Sequence, residues 1–171
     1  MFDLLEGALE ESGIGEGQHD RVVDRGDGAV MLVRPGDEVP KTLLLTSVVP
    51  AMARLLAEFN ATGWFGSEVR LRVAVHADEV HYDRRGPFGE GLDIACRLVD
   101  SSVLRRALRG APGPLVLAVS DSFHRAVIRH NFAGIDPNAF KRDVLVRIGG
   151  RRVPGWIHCP VAAKEERPIT A

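Results

Sequence analysis

Residues 69–100 read VRLRVAVHADEVHYDRRGPFGEGLDIACRLVD, and this stretch decides the fold. Val69, Leu71, Val73 and Val75 alternate with Arg70, Arg72, Ala74 and His76, the period of a β-strand with two different faces, predicted over 68–77. Residues 79–83 are predicted to return as its partner strand. A glycine-bearing loop follows, whose backbone can approach a ligand closely. A short helix is then predicted over 93–99, and it sets Asp93 and Arg97 four residues apart on one face.

Residues 2–12 carry Phe2, Leu5, Ala8 and Leu9 at helical spacing, and the glycines from Gly13 stop that helix. Segments 19–24 and 29–34 flank Arg25-Gly26-Asp27-Gly28, a hairpin with Asp-Gly turn chemistry. The longest helix is predicted over 41–60, with Leu44, Val48, Met52, Leu56 and Phe59 on one wide face and Pro50 bending or dividing it. Downstream, 102–109 reads as a helix capped by Asp100 or Ser101, and 115–119 as a buried strand. Ser120 and Asp121 cap a helix over 123–130, and 143–148 with 153–158 form a closing hairpin. Residues 1–161 read as a single domain and 162–171 as a frayed tail.

Composition sets bounds. The 171 residues suit one domain, and 45% apolar with 26% charged residues is an ordinary balance for a folded soluble chain. A net charge of −1 gives no electrostatic reason to expect nucleic acid or an anionic membrane as partner. The apolar run 43–56 is broken by Thr46, Ser47, Pro50 and Arg54 and is too short to span a bilayer. With no secretory signal, Cys96 and Cys159 read as reduced, buried thiols in a cytoplasmic protein.

Three segments carry a resemblance: the strand ending His76-Ala77-Asp78, the helix following Gly89 with Asp93, Ala95 and Arg97, and the Arg25-Gly26-Asp27 hairpin. Together they resemble the core of the class III adenylate/guanylate cyclase catalytic domain. There a strand ending in His-x-Gly-x-Val leads to a Gly-x-x-Val-Asn-x-Ala-x-Arg helix. The resemblance implies an α+β fold, an α/β sandwich of ferredoxin-like type with helices packed on the sheet. It also implies a site shared between two such domains, where two divalent cations, Mg²⁺ or Mn²⁺, hold the triphosphate of ATP or GTP. Asp27 falls on the hairpin aspartate that binds metal, although Asp-Gly is also the favoured pair of a tight turn. Arg97 falls on the arginine that stabilises the transition state, and Asp93 on the asparagine that orients the ribose. Alternatively the two form a surface i,i+4 ion pair. Gly89 opens the substrate loop, and Arg147 lies near a phosphate-binding lysine.

The departures from that pattern bear on activity. Val23 replaces a base-reading lysine, no acid stands near Gly86 to complete base recognition, and Asp78 replaces the glycine of His-x-Gly. The family's first strand, with its metal-binding aspartate, has no counterpart, and a longer chain or a partner would have to supply it. The expectation is a degenerate cyclase-like domain without catalytic activity. It would act as a regulatory or dimerising module that binds nucleotide weakly or not at all, holds no metal tightly, and pairs with a second copy or a related domain. The alternative is an active purine nucleotide cyclase completed by that missing strand. A metal-dependent hydrolase built on His76, Asp78 and His81 is a third reading.

Overall fold

In the computed structural model, which describes residues 2–64 and 66–160, a four-stranded mixed sheet lies between two helical layers. In chain order the strands are β1 (Val23–Asp24), β2 (Ala29–Val30), β3 (Leu71–Val75), β4 (His81–Asp83), β5 (Gly86–Phe88), β6 (Leu115–Ser120), β7 (Lys141–Ile148) and β8 (Arg151–His158). The main sheet has the order β3-β6-β8-β7, with β3 parallel to β6 and β8 antiparallel to both of its neighbours. The pairs β1–β2 and β4–β5 are separate hairpins. The helices are α1 (Phe2–Glu11), α2 (Val49–Ala61), α3 (Glu90–Val99), α4 (Ser102–Gly110) and the short α5 (Asp121–Phe123).

The continuous apolar run of β6 is buried along its whole length. Leu115, Leu117 and Val119 pack with Leu9, Met52, Leu56 and Phe123 on one side of the sheet. Val116 and Ala118 pack with Ile94, Leu98 and Leu104 on the other. A strand covered on both faces needs apolar residues at every position, which is why its sequence does not alternate. On β7, Val144, Val146 and Ile148 are buried while Leu145 and Arg147 are exposed, the alternation of an outer strand covered on one face.

Local chemistry fixes the helix ends. The Ser101 hydroxyl accepts the Leu104 N–H (3.2 Å) to start α4, and the Ser120 hydroxyl accepts the Phe123 N–H (3.2 Å) to start α5. Pro50 sits in the first turn of α2 and does not divide the predicted long helix, since helical backbone runs without interruption over 43–61. A proline has no N–H to offer the preceding turn. Just before it, Leu44–Val48 widens into a π-turn in which the Val49 N–H bonds to the Leu44 carbonyl.

Two expectations are corrected. The segment 79–83 does not return beside β3; β4 turns back on β5, pairing His81 with Phe88. The tight turn between them is held by Asp83 Oδ1, which accepts the Arg85 N–H (2.7 Å). Helix α3 starts three residues before the predicted Asp93, directly after Gly89, whose φ of 142° is a backbone state reserved for glycine. The predicted tail 162–171 lies outside the described residues. No helix among the described residues is long and apolar enough to cross a membrane.

Candidate functional site

The site begins with an open strand edge. The Leu71 N–H donates to the Pro114 carbonyl (2.8 Å), and the register runs from Leu71↔Leu115 to Val75↔Val119. In a parallel ladder, alternate residues direct both peptide groups to the same neighbour. Leu71, Val73 and Val75 therefore serve β6, while the peptide groups of Arg72 and Ala74 face away from it. No described strand pairs with that second edge of β3.

A second open edge lies across from it. Beyond β2 the chain stays extended, and Val33 is bridged to His19. The Leu32 carbonyl accepts the Asp20 N–H (2.8 Å), and the Arg34 N–H donates to the Gln18 carbonyl (2.7 Å). Residues 32 and 34 thus face the β1 side, so Met31 and Val33 turn their peptide groups outward. Between the two edges runs a groove of about 1130 Å³. Leu9 and Met52 line one wall, and Ala95, Cys96 and Val99 of α3 line the other.

Charged and polar side chains share the lining with these apolar ones, among them Arg70, Arg72, His76 and Asp100. Arg70 donates from Nη2 to the Ala111 and Gly113 carbonyls (2.8 Å each), and Arg72 Nη2 lies 3.7 Å from Asp100 Oδ1. The Nε atoms of both arginines are buried without a hydrogen-bond partner. At one mouth the Tyr82 hydroxyl donates to Asp20 Oδ2 (2.6 Å), and the other oxygen of Asp20 pairs with Arg34. The His76 side chain, 6% exposed, sets Nδ1 2.7 Å from Ser120 Oγ and Nε2 3.5 Å from Asp78 Oδ2. Burial lowers the His76 pKa, and the Asp78 charge opposes this only in part.

Ser122, Ser120, His76 and Asp78 form a chain that resembles a nucleophile, base and acid relay. It does not have that chemistry available. Ser120 is fully buried and its Oγ already accepts the Phe123 N–H, so the hydroxyl beside the imidazole has no path to a substrate. The chain ties the end of β3 to the cap of α5.

The residues singled out from sequence occupy separate surfaces. Asp27 is exposed on the β1–β2 turn and lines the groove. The turn is built by Asp24 Oδ1 accepting the Gly26 N–H (2.8 Å), with Gly26 at φ 84°. Asp93 and Arg97 are both exposed on α3, away from the Gly91, Ile94 and Leu98 face that meets the sheet. Neither lines the groove, and no ion pair joins them. Gly89 lies against the Glu79 carbonyl, 3.5 Å from where a Cβ would stand. Arg147 is exposed on β7, opposite Arg152 and three strands away from β3. His81 is exposed, with its ring 5.7 Å from that of Phe88. Among the described residues no group of three or more His, Cys, Asp or Glu is placed to hold a metal ion, so the ligand set of the hydrolase reading does not assemble. Cys96 and Cys159 are free thiols, half-buried where full burial was expected.

Arg70 and Arg72 were legible only as the polar face of an alternating strand; that they would line a groove carried no signal of its own. No family model, curated protein or solved structure matches this chain.

Proposed function

We propose that this chain is a class III nucleotide-cyclase-like domain that carries no complete reaction centre of its own and works as a regulatory or dimerising module. One observation carries the reading. Asp27 opens onto the groove beside β3, whereas Asp93 and Arg97 project from the solvent face of α3. In the family that the sequence resembles, the metal-binding aspartate and the transition-state arginine meet only across a pair of domains. Here they lie on separate surfaces that a second domain would have to bring together.

The finer features of the reading rest on the sequence. A carboxylate at Asp93 would repel the triphosphate of ATP or GTP and compete for Arg97. Asp27 could offer a single carboxylate to Mg²⁺ or Mn²⁺, with the remaining ligands coming from water, which disfavours tight binding. The partner is a second copy or a related cyclase-like domain in the cytoplasm. The open β3 edge favours one alternative, an active cyclase completed by a strand from elsewhere.

Sedimentation across a concentration series, paired with a cyclase assay in Mn²⁺ and ATP or GTP, tests this. The expected result is self-association without cyclic nucleotide. A chain that stays monomeric at high concentration, or one that makes cyclic nucleotide alone, contradicts it.

A further inference from the structure

The groove has the form of a vacant place in a sheet. Its long sides are two strand edges, Arg72 and Ala74 of β3 and Met31 and Val33 beyond β2, each with peptide groups turned inward. Five residues of β3 give it a length of roughly 16 Å at about 3.3 Å per residue. One side is apolar, formed by residues such as Leu9 and Met52, and on the other Ala95, Cys96 and Val99 stand beside Arg70, Arg72 and Asp100. All five residues of β3 are half-buried although no strand among the described residues pairs with that edge.

We infer that this groove accepts one extended β-strand of a partner polypeptide, which hydrogen-bonds to β3 and to the arm after β2 and joins the β1–β2 hairpin to the main sheet. Backbone pairing supplies the recognition and the apolar walls select the side chains. A small ligand would leave two rows of peptide N–H and C=O groups half-satisfied, whereas a strand satisfies both. The walls also specify the strand's composition. It carries apolar side chains on both faces, as a strand covered on both sides does.

Charge complementarity adds one feature. Arg70 and Arg72 line the groove with buried, unpartnered Nε atoms, and Arg72 is only loosely held by Asp100, which Arg105 also approaches at 3.8 Å. An acidic residue among small ones on the α3 side of the incoming strand matches these guanidinium groups.

The inference rests on the reading of this domain as a binding module but takes a separate chain, not a second copy, as the strand donor, and its test does not depend on nucleotide. The probe is a short synthetic peptide of valines alternating with alanines around one central aspartate, with terminal lysines for solubility. It is added to the full chain while amide hydrogen exchange is followed. The expected result is saturable binding that slows exchange at Arg72, Ala74, Met31 and Val33 on the order of tenfold or more. Ala74→Pro removes an N–H that β6 does not use, so the variant should fold with an intact β3–β6 ladder and lose binding. Exchange unchanged at saturating peptide, or binding undiminished in a folded Ala74→Pro, overturns the inference. Protection that rises with protein concentration in the absence of peptide would assign the groove to a second copy and overturn the separate partner.

Discussion

The Tyr82 hydroxyl donates to Asp20 Oδ2 at 2.6 Å, tying the β4–β5 hairpin to the strand arm around β1 at one mouth of the groove. Neither hairpin pairs with the main sheet, so this contact and the Arg34–Asp20 ion pair help to fix the groove's width. Tyr82→Phe removes one largely exposed hydrogen bond and should cost up to about 1 kcal/mol of global stability. Exchange at Met31 and Val33 should quicken more than exchange in β6. Uniform quickening across both would mean that the contact does not hold the hairpins.

Acid should weaken the fold through two histidines. Burial lowers the pKa of His76, and burial likewise lowers that of His124, whose ring stacks 3.7 Å from Trp156. A histidine whose folded pKa is depressed binds fewer protons folded than unfolded. Its contribution is therefore intact above the ordinary value of about 6.5 and is lost as the pH falls below it. The melting midpoint should drop between pH 7.5 and 5.5, and His76→Asn or His124→Asn should flatten that dependence. An equally steep dependence in both variants would contradict the assignment.

Gly155→Ala should be costly. An added Cβ would stand 2.7 Å from Leu98 Cδ2, 3.1 Å from the Val119 carbonyl and 3.2 Å from Val144 Cβ, so α3 is seated against bare backbone of β8. Overpacking of this kind costs about 1–3 kcal/mol, measurable by urea unfolding. A change within about 0.5 kcal/mol would mean that α3 does not sit that close to β8.

Much of this fold was legible in the sequence, because hydrophobic period reports one element at a time. The alternation at Leu71, Val73 and Val75, the unbroken apolar run at 115–119 and the cap at Asp100 or Ser101 each announced their element. The relation between elements was not legible. Residues 81–83 carry the same strand propensity whether they pair with β3 or with β5, and the two-residue turn decided it. The facing of Asp93 and Arg97 was readable: with Ile94 and Leu98 toward the sheet, residues one position before each fall outside the buried stripe. The groove was not, since it exists only where two open edges meet.

Asp93→Asn restores the residue that the cyclase-like pattern carries, yet the side chain is exposed and makes no ion pair with Arg97. The substitution should change stability by less than about 0.5 kcal/mol and leave ATP and GTP binding by the isolated chain unchanged. A gain in nucleotide affinity, read by calorimetry, would show that the α3 surface is a working nucleotide site without a partner.

The most direct test of the account is a thermal melt of the purified chain with and without ATP or GTP in Mn²⁺, repeated on Arg97→Ala. Any ligand that binds the folded state alone raises the midpoint by mass action. One cooperative transition is expected, with the same midpoint in every condition and in both proteins. A wild-type midpoint raised by several degrees with nucleotide and lost in Arg97→Ala would contradict it, since one chain would then hold a complete phosphate site.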